Sequence, residues 1–249
     1  MKKNILIVGG SSGIGLALVK QMHAENNLFV ANRSNDGLGD LPITFIPLDV
    51  ETDELETSQL PEELNGLVYC PGTINLRPFK GLKPEVFSKD FSINVMGAVK
   101  VLQAVLGRLQ NSKTSASVVF FSTVAVQTGM PFHASVATAK GALEGLSRSL
   151  AAELAPKIRF NVIAPSLVDT PLAEKFLNND TKKSNAAARH PLQRVGHPDE
   201  IARMTEFLLS ENSSWMTAQI LTIDGGIGSI KSCLIWKNLR SFGFEETLD

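Results

Sequence analysis

Residues 4–24 read NILIVGGSSGIGLALVKQMHA. Asn4–Val8 is a short, strongly apolar run of the kind a parallel sheet buries on both faces. Gly9-Gly10-Ser11-Ser12-Gly13-Ile14-Gly15 follows, and Leu16–Ala24 then places apolar residues at helical spacing. A strand, a glycine-rich turn and a helix in that order form the setting a dinucleotide-binding fingerprint needs. The glycines allow a tight turn and a close backbone approach to a pyrophosphate, and the helix N-terminus offers free N–H groups and the positive end of its dipole. The spacing is Gly9-x-x-x-Gly13-x-Gly15 rather than the commoner G-x-G-x-x-G. The flanks favour a phosphate cradle over a plain βα turn, with Gly9, Ser11, Ser12, Gly13, Ile14 and Gly15 as its candidates.

The same alternation continues along the chain. Leu28–Ala31 reads as a second strand ending at Asn32-Arg33-Ser34, the distance at which an acid would grip a ribose 2′-hydroxyl. No acid stands at that tip, and Arg33 suits a 2′-phosphate, so NADP(H) is the expected cofactor. Ile43–Leu48 is a third strand followed by Asp49-Val50, and Glu51–Glu63 is expected as loop and short helix. Leu67–Cys70 is a fourth strand, closed by Pro71-Gly72. Lys83–Leu109 is largely helical with Asn94 inside it, either an exposed polar residue or a side chain that holds water or backbone. Ser117–Phe121 is a fifth strand leading to Ser122-Thr123, and Phe120–Leu154 reads as strand, loop and long helix with Lys140 early in the helix. Arg159–Ala164 is a sixth strand stopped by Pro165. Asp169–Arg189 is a polar helical excursion, a substrate lid or a surface loop. A helix opens at His197-Pro198-Asp199, and Gln219–Ile223 is a last strand before Asp224-Gly225-Gly226. This order predicts an α/β fold: one Rossmann-type, doubly wound parallel sheet with helices on both faces, spanning 1–228. Residues 229–249 form an extension too apolar for a solvated tail, expected to pack on the domain or on a partner subunit.

Bulk properties narrow the function classes. The chain has 249 residues, 43% hydrophobic and 20% charged, which suits one large globular domain. A formal net charge of −1 without Lys/Arg clusters argues against nucleic acid or a membrane surface as partner. Cys70 and Cys233 form no redox or metal-type pair, which fits a reducing, cytoplasmic setting. The start, MKKNILIVGG, is too short in its apolar run for a signal peptide. His23, His190 and His197 show no ligand spacing, so no metal is expected.

With these motifs in order, residues 4 to about 228 resemble the short-chain dehydrogenase/reductase family. Val8–Gly15 is similar to the family's T-G-x-x-x-G-x-G, with Val8 for Thr. Asp49-Val50 resembles the pair that touches adenine, and Tyr69-Cys70-Pro71-Gly72 stands where the family has N-N-A-G and keeps only the Gly. Asn94 matches the catalytic Asn, and Pro165-Ser166 through Thr170 resembles the P-G segment bordering nicotinamide, with Ser for Gly. The resemblance implies a nicotinamide cofactor, oxidoreductase chemistry on a small carbonyl/alcohol pair, and a homodimer or homotetramer that pairs through the helices holding Asn94 and Lys140.

The family's catalytic set is Asn, Ser, Tyr and Lys; its positions here are Asn94, Thr123, Val136 and Lys140. The resemblance implies that Thr123 hydrogen-bonds a substrate oxygen and that Lys140 holds the nicotinamide ribose. Val136 has no proton to give. Helical phase places 136, 140, 143, 150 and 154 on one apolar side, with Lys140 the exception. Substitutes for the missing Tyr are Lys140, His133, Ser135, Tyr69 or a water near Asn94 and Thr123. Two readings follow: an NADP(H)-dependent oxidoreductase with a non-standard proton donor, or a catalytically silent NADP(H)-binding protein with a regulatory or oligomer-partner role.

Overall fold

The computed structural model describes residues 2–230. The extension expected to pack on the domain or a partner falls, from residue 231 onward, outside the described residues. Seven strands form one parallel sheet: β1 (Asn4–Val8), β2 (Asn27–Asn32), β3 (Thr44–Pro47), β4 (Gly66–Tyr69), β5 (Ala116–Phe121), β6 (Ile158–Pro165) and β7 (Ile220–Ile223), in the order β3-β2-β1-β4-β5-β6-β7. The order reverses between β1 and β4, so a crevice opens beyond their carboxyl ends, the usual ligand position in doubly wound sheets.

Alternate residues of each strand feed two cores. Leu6, Val8, Leu67 and Phe120 pack on one face with Val101, Leu102 and Leu143. These come from α3 (Gly97–Gln110) and α5 (Ala134–Leu154), beside α2 (Pro84–Phe91). Ile5, Ile7, Val68 and Val119 pack on the other face with Leu18, Val19, Ile201 and Leu208. The last four come from α1 (Gly13–Met22) and the helix Pro198–Leu209. Burial on both faces explains why β1 carries no polar alternation.

One expectation needs correction. Glu51–Glu63 contains no helix. Its carboxylates instead accept from nearby backbone N–H groups, Asp49 from Glu51 at 3.0 Å and Glu56 from Ser58 at 2.8 Å, which favours turns. Lys83–Leu109 is largely helical as expected, with a π turn at Ser92–Met96 between α2 and α3. Asn94 causes the break locally: its Nδ2 donates to the Asp90 carbonyl at 2.7 Å, the acceptor its own backbone N–H would take in an α-helix.

Candidate active site

The phosphate turn is shaped by close backbone approach. A Cβ at Gly15 would stand 2.2 Å from the Gly9 carbonyl oxygen, so only glycine lets α1 start this near β1. Ser12 caps α1 without using its hydroxyl on the helix, leaving the N-terminal N–H groups and that hydroxyl for an anion. Ser11 accepts from Asn32 Nδ2, which also donates to the Ser34 carbonyl at 3.1 Å. The turn and the tip of β2 are therefore one unit. Arg33 is exposed there. Asp36, which sequence reading passed over, accepts from the Ser34 hydroxyl at 2.9 Å. Asp49 accepts from Glu51 N at 3.0 Å with one carboxylate oxygen, and Val50 packs toward Gly97.

The crevice deepens into a cavity of about 560 Å³ at the carboxyl ends of the strands. Ile14, Gly72, Thr123, Lys140, Pro165 and Thr170 all line it, which brings predicted cofactor and catalytic positions together. Asn94 is fully buried, which rules out the exposed reading. Its Nδ2 also donates to Thr73 Oγ1 at 3.0 Å, and its Oδ1 is buried without a partner. Gly72 explains the space: a Cβ there would lie 3.1 Å from both Asn94 Oδ1 and Lys140 Nζ. An acceptor, an ammonium and a bare backbone thus face one small gap, as a ribose hydroxyl or a water requires.

Lys140 is 7% exposed. Burial pulls its pKa down to about 8, and the neighbouring Cys70 and Asp90 only partly oppose this. Burial pushes the Cys70 thiol up to about 12. Asp90 is fully buried, accepting from Thr73 Oγ1 and Asn75 Nδ2, both at 2.6 Å. Sequence reading missed it, because an Asp within an amphipathic helix reads as a solvated face.

The candidates for the Tyr role separate cleanly. Val136 is buried and lines the cavity. Ser135 is buried on the opposite side of α5, in the groove against α2, and does not line the cavity. Tyr69 donates its hydroxyl to the Ile93 carbonyl at 2.6 Å, and burial raises its pKa further, so it is a packing residue. His133 lines the cavity, with Nδ1 on the Pro131 carbonyl at 2.7 Å. Thr123 lines it too, its hydroxyl oxygen accepting from Ala125 N at 3.3 Å. Among the described residues no group of three His, Cys, Asp or Glu could hold a metal ion.

A family model described as enoyl-(acyl carrier protein) reductase matches residues 8–228. The chain belongs to the short-chain dehydrogenase/reductase family. Within this family, it is 29% identical to L-xylulose reductase of Bos taurus over 233 residues, covering 90% of this chain and 96% of the relative. It is 30% identical to a tropinone reductase homolog of Arabidopsis thaliana over 240 residues, covering 89% and 78%. The solved structure of Thermoplasma acidophilum aldohexose dehydrogenase superposes with a TM-score of 0.82 at 25% identity, covering 91% of this chain and 94% of that one. That of ElxO with NADP bound superposes with a TM-score of 0.83 at 25% identity, covering 92% and 100%. The doubly wound sheet expected of the family is the one observed.

Proposed function

We propose that this member of the family is an NADP(H)-dependent oxidoreductase acting on a carbonyl/alcohol pair. The observation that carries the reading is that Thr123 and Lys140 line one cavity with Ile14 of the phosphate turn, and that the unpartnered Asn94 Oδ1 lies beside Lys140 Nζ at Gly72. The residues fit the dinucleotide: Gly9, Ser11, Ser12, Gly13, Ile14 and Gly15 would take the pyrophosphate, Arg33 with Asn32 and Ser34 the 2′-phosphate end, and Lys140 the nicotinamide ribose. Asp49, Val50, Gly72, Pro165 and Thr170 complete the cradle. The bound cofactor supplies or removes hydride at the substrate carbon. Thr123 orients the substrate oxygen with a hydroxyl hydrogen that its backbone contact leaves free. The neighbouring ElxO structure with NADP bound supports the cofactor class. So does another ElxO structure, with a Tyr-to-Phe substitution and NADPH bound, as an example of binding after loss of a phenol.

The cavity also argues for the substrate's charge. Lys175, Lys182 and Arg189 line it from the excursion after β6, and among the described lining residues there is no Asp or Glu. Leu76, Met130, Leu172 and Phe176 supply apolar wall. This favours a carbonyl compound with an apolar body and a negatively charged group. NADPH oxidation by the purified chain across ketones, aldehydes and oxoacyl thioesters tests the reading, with NADPH binding followed by fluorescence. Turnover with an anionic carbonyl is the expected result; binding without oxidation across the panel supports the silent alternative.

A further inference from the structure

Half-buried Ser166, which stands where the family has Gly, and buried His190 form a pair that the proposed roles do not use. Ser166 Oγ lies 2.8 Å from His190 Nε2, and His190 Nδ1 lies 2.8 Å from the Ala186 carbonyl oxygen. A carbonyl only accepts, so Nδ1 carries the proton. Neutral His190 then offers a lone pair on Nε2, and the Ser166 hydroxyl donates to it. His190 is 4% exposed, which holds this arrangement rigid. Hydroxyl, base and orienting carbonyl in series form the geometry that lets a serine oxygen take up a proton as it gives one away.

The pair sits where such a group is needed. Ser166 directly follows β6, and the Pro165 carbonyl accepts from Val124 N at 3.1 Å, so Ser166 and Thr123 leave adjacent strands side by side. Both line the large cavity, as does Val136, where the Tyr is missing. Behind it lies a second cavity of about 80 Å³, lined by Ser166, His190, Arg194, Glu200 and Asp224. His190 therefore spans the wall between the two. Asp224 accepts from Gly226 N and Gly228 N, and Glu200 is paired with Arg194, whose side chain is 54% exposed. Water in the small cavity has polar partners and a way out.

We propose that Ser166 and His190 form the proton relay that replaces the Tyr. The proposal rests on the oxidoreductase reading. In alcohol oxidation the carbinol hydride leaves to the oxidised dinucleotide. The substrate O–H proton passes to Ser166 Oγ, and the Ser166 proton passes to His190 Nε2. The resulting imidazolium holds Nδ1–H on Ala186 and Nε2–H on Ser166 Oγ; once the product leaves, Nε2 returns its proton to Ser166 Oγ as the Ser166 hydroxyl gives its own to water in the small cavity, which Ser166 also lines. Carbonyl reduction runs the same path backwards, with hydride from the reduced dinucleotide.

Two measurements test this. In ¹⁵N spectra of the ligand-free protein, His190 is expected as the Nδ1–H tautomer with Nε2 unprotonated, and Ser166→Gly is expected to shift the Nε2 signal alone. The opposite tautomer overturns the relay. In NADPH-dependent turnover, Ser166→Gly is expected to lower kcat about 100-fold with NADPH affinity unchanged, and His190→Gln to do the same. Adding Val136→Tyr to Ser166→Gly is expected to restore activity, which repair of packing would not do. Full activity in Ser166→Gly overturns the relay and leaves the oxidoreductase reading standing, whereas turnover that appears only after Val136→Tyr is added to the wild type overturns both. No turnover in any of these proteins overturns both.

Discussion

At Lys140 a cation is held in a place that disfavours it. Its pKa is down to about 8 from an ordinary 10.5 because it is buried. The unfolded chain therefore binds more protons than the folded one between those values, and the contribution of Lys140 to stability rises with pH across that window. Cys70, raised from 9.0 to about 12, acts with the opposite sign above pH 9. The interval from about 8 to 9 thus isolates Lys140. Denaturant titrations are expected to show stability rising there in the wild type and flat in Lys140→Met. Cofactor binding runs the other way. NADPH affinity is expected to fall as pH rises through about 8, as the ammonium is lost. In Lys140→Met it is expected to be about tenfold weaker below that pH, roughly the value of one charge-assisted hydrogen bond. A fluorescence titration that gives the same ratio at every pH contradicts a charged Lys140 on the ribose. Lys140 was legible in the sequence because a lone Lys on an apolar stripe is anomalous. Ser166 and His190 were not, because 24 positions separate them and only the return of the chain after the excursion brings them together.

At the scale of elements, the seven strands and the helices that follow β1, β4, β5 and β6 were readable from the alternation of apolar runs and helical spacing. What could not be read was the work of polar side chains inside elements. Asn94 breaks its helix by taking a backbone acceptor, which no periodicity announces. Arg159 is a second case. It is a charged residue of β6, yet it is 7% exposed. Its guanidinium donates to the carbonyls of Leu208, Ser210, Ser213 and Met216 at 2.8–3.4 Å, pinning the end of the helix Pro198–Leu209 beside β6. Arg159→Ala removes four charge-assisted hydrogen bonds in a place water reaches poorly, although each carbonyl keeps at least one other donor. It is expected to cost about 3 kcal/mol. By calorimetry this is a fall in Tm of about 10 °C. A change below about 2 °C would mean that solvent satisfies those carbonyls and that the pin is incidental.

At the scale of the molecule, the layer holding α2, the π turn and α5 carries an apolar face without cover among the described residues. Phe91 and Met96 are 40% and 42% exposed there, beside a groove lined by Phe87, Ser135, Thr138 and Ala139. The family resemblance implies pairing through these helices. We expect Phe91→Glu to convert the oligomer to a smaller species in light scattering while NADPH binding persists; an unchanged mass would place the subunit contact elsewhere. No helix of the described residues is long and apolar enough to cross a membrane. Leu172, Lys175 and Phe176 of the excursion after β6 line the cavity, so Asp169–Arg189 contributes both apolar wall and cations to it. The most direct measurement of the central claim is NADPH oxidation by the unmodified chain, with Val136 in place, on a matched pair of carbonyl substrates, one carrying a carboxylate or phosphate and one neutral. Turnover, faster for the charged member, is the expected result. Tight NADPH binding with no oxidation of either, while Val136→Tyr oxidises NADPH on the same pair, would contradict it.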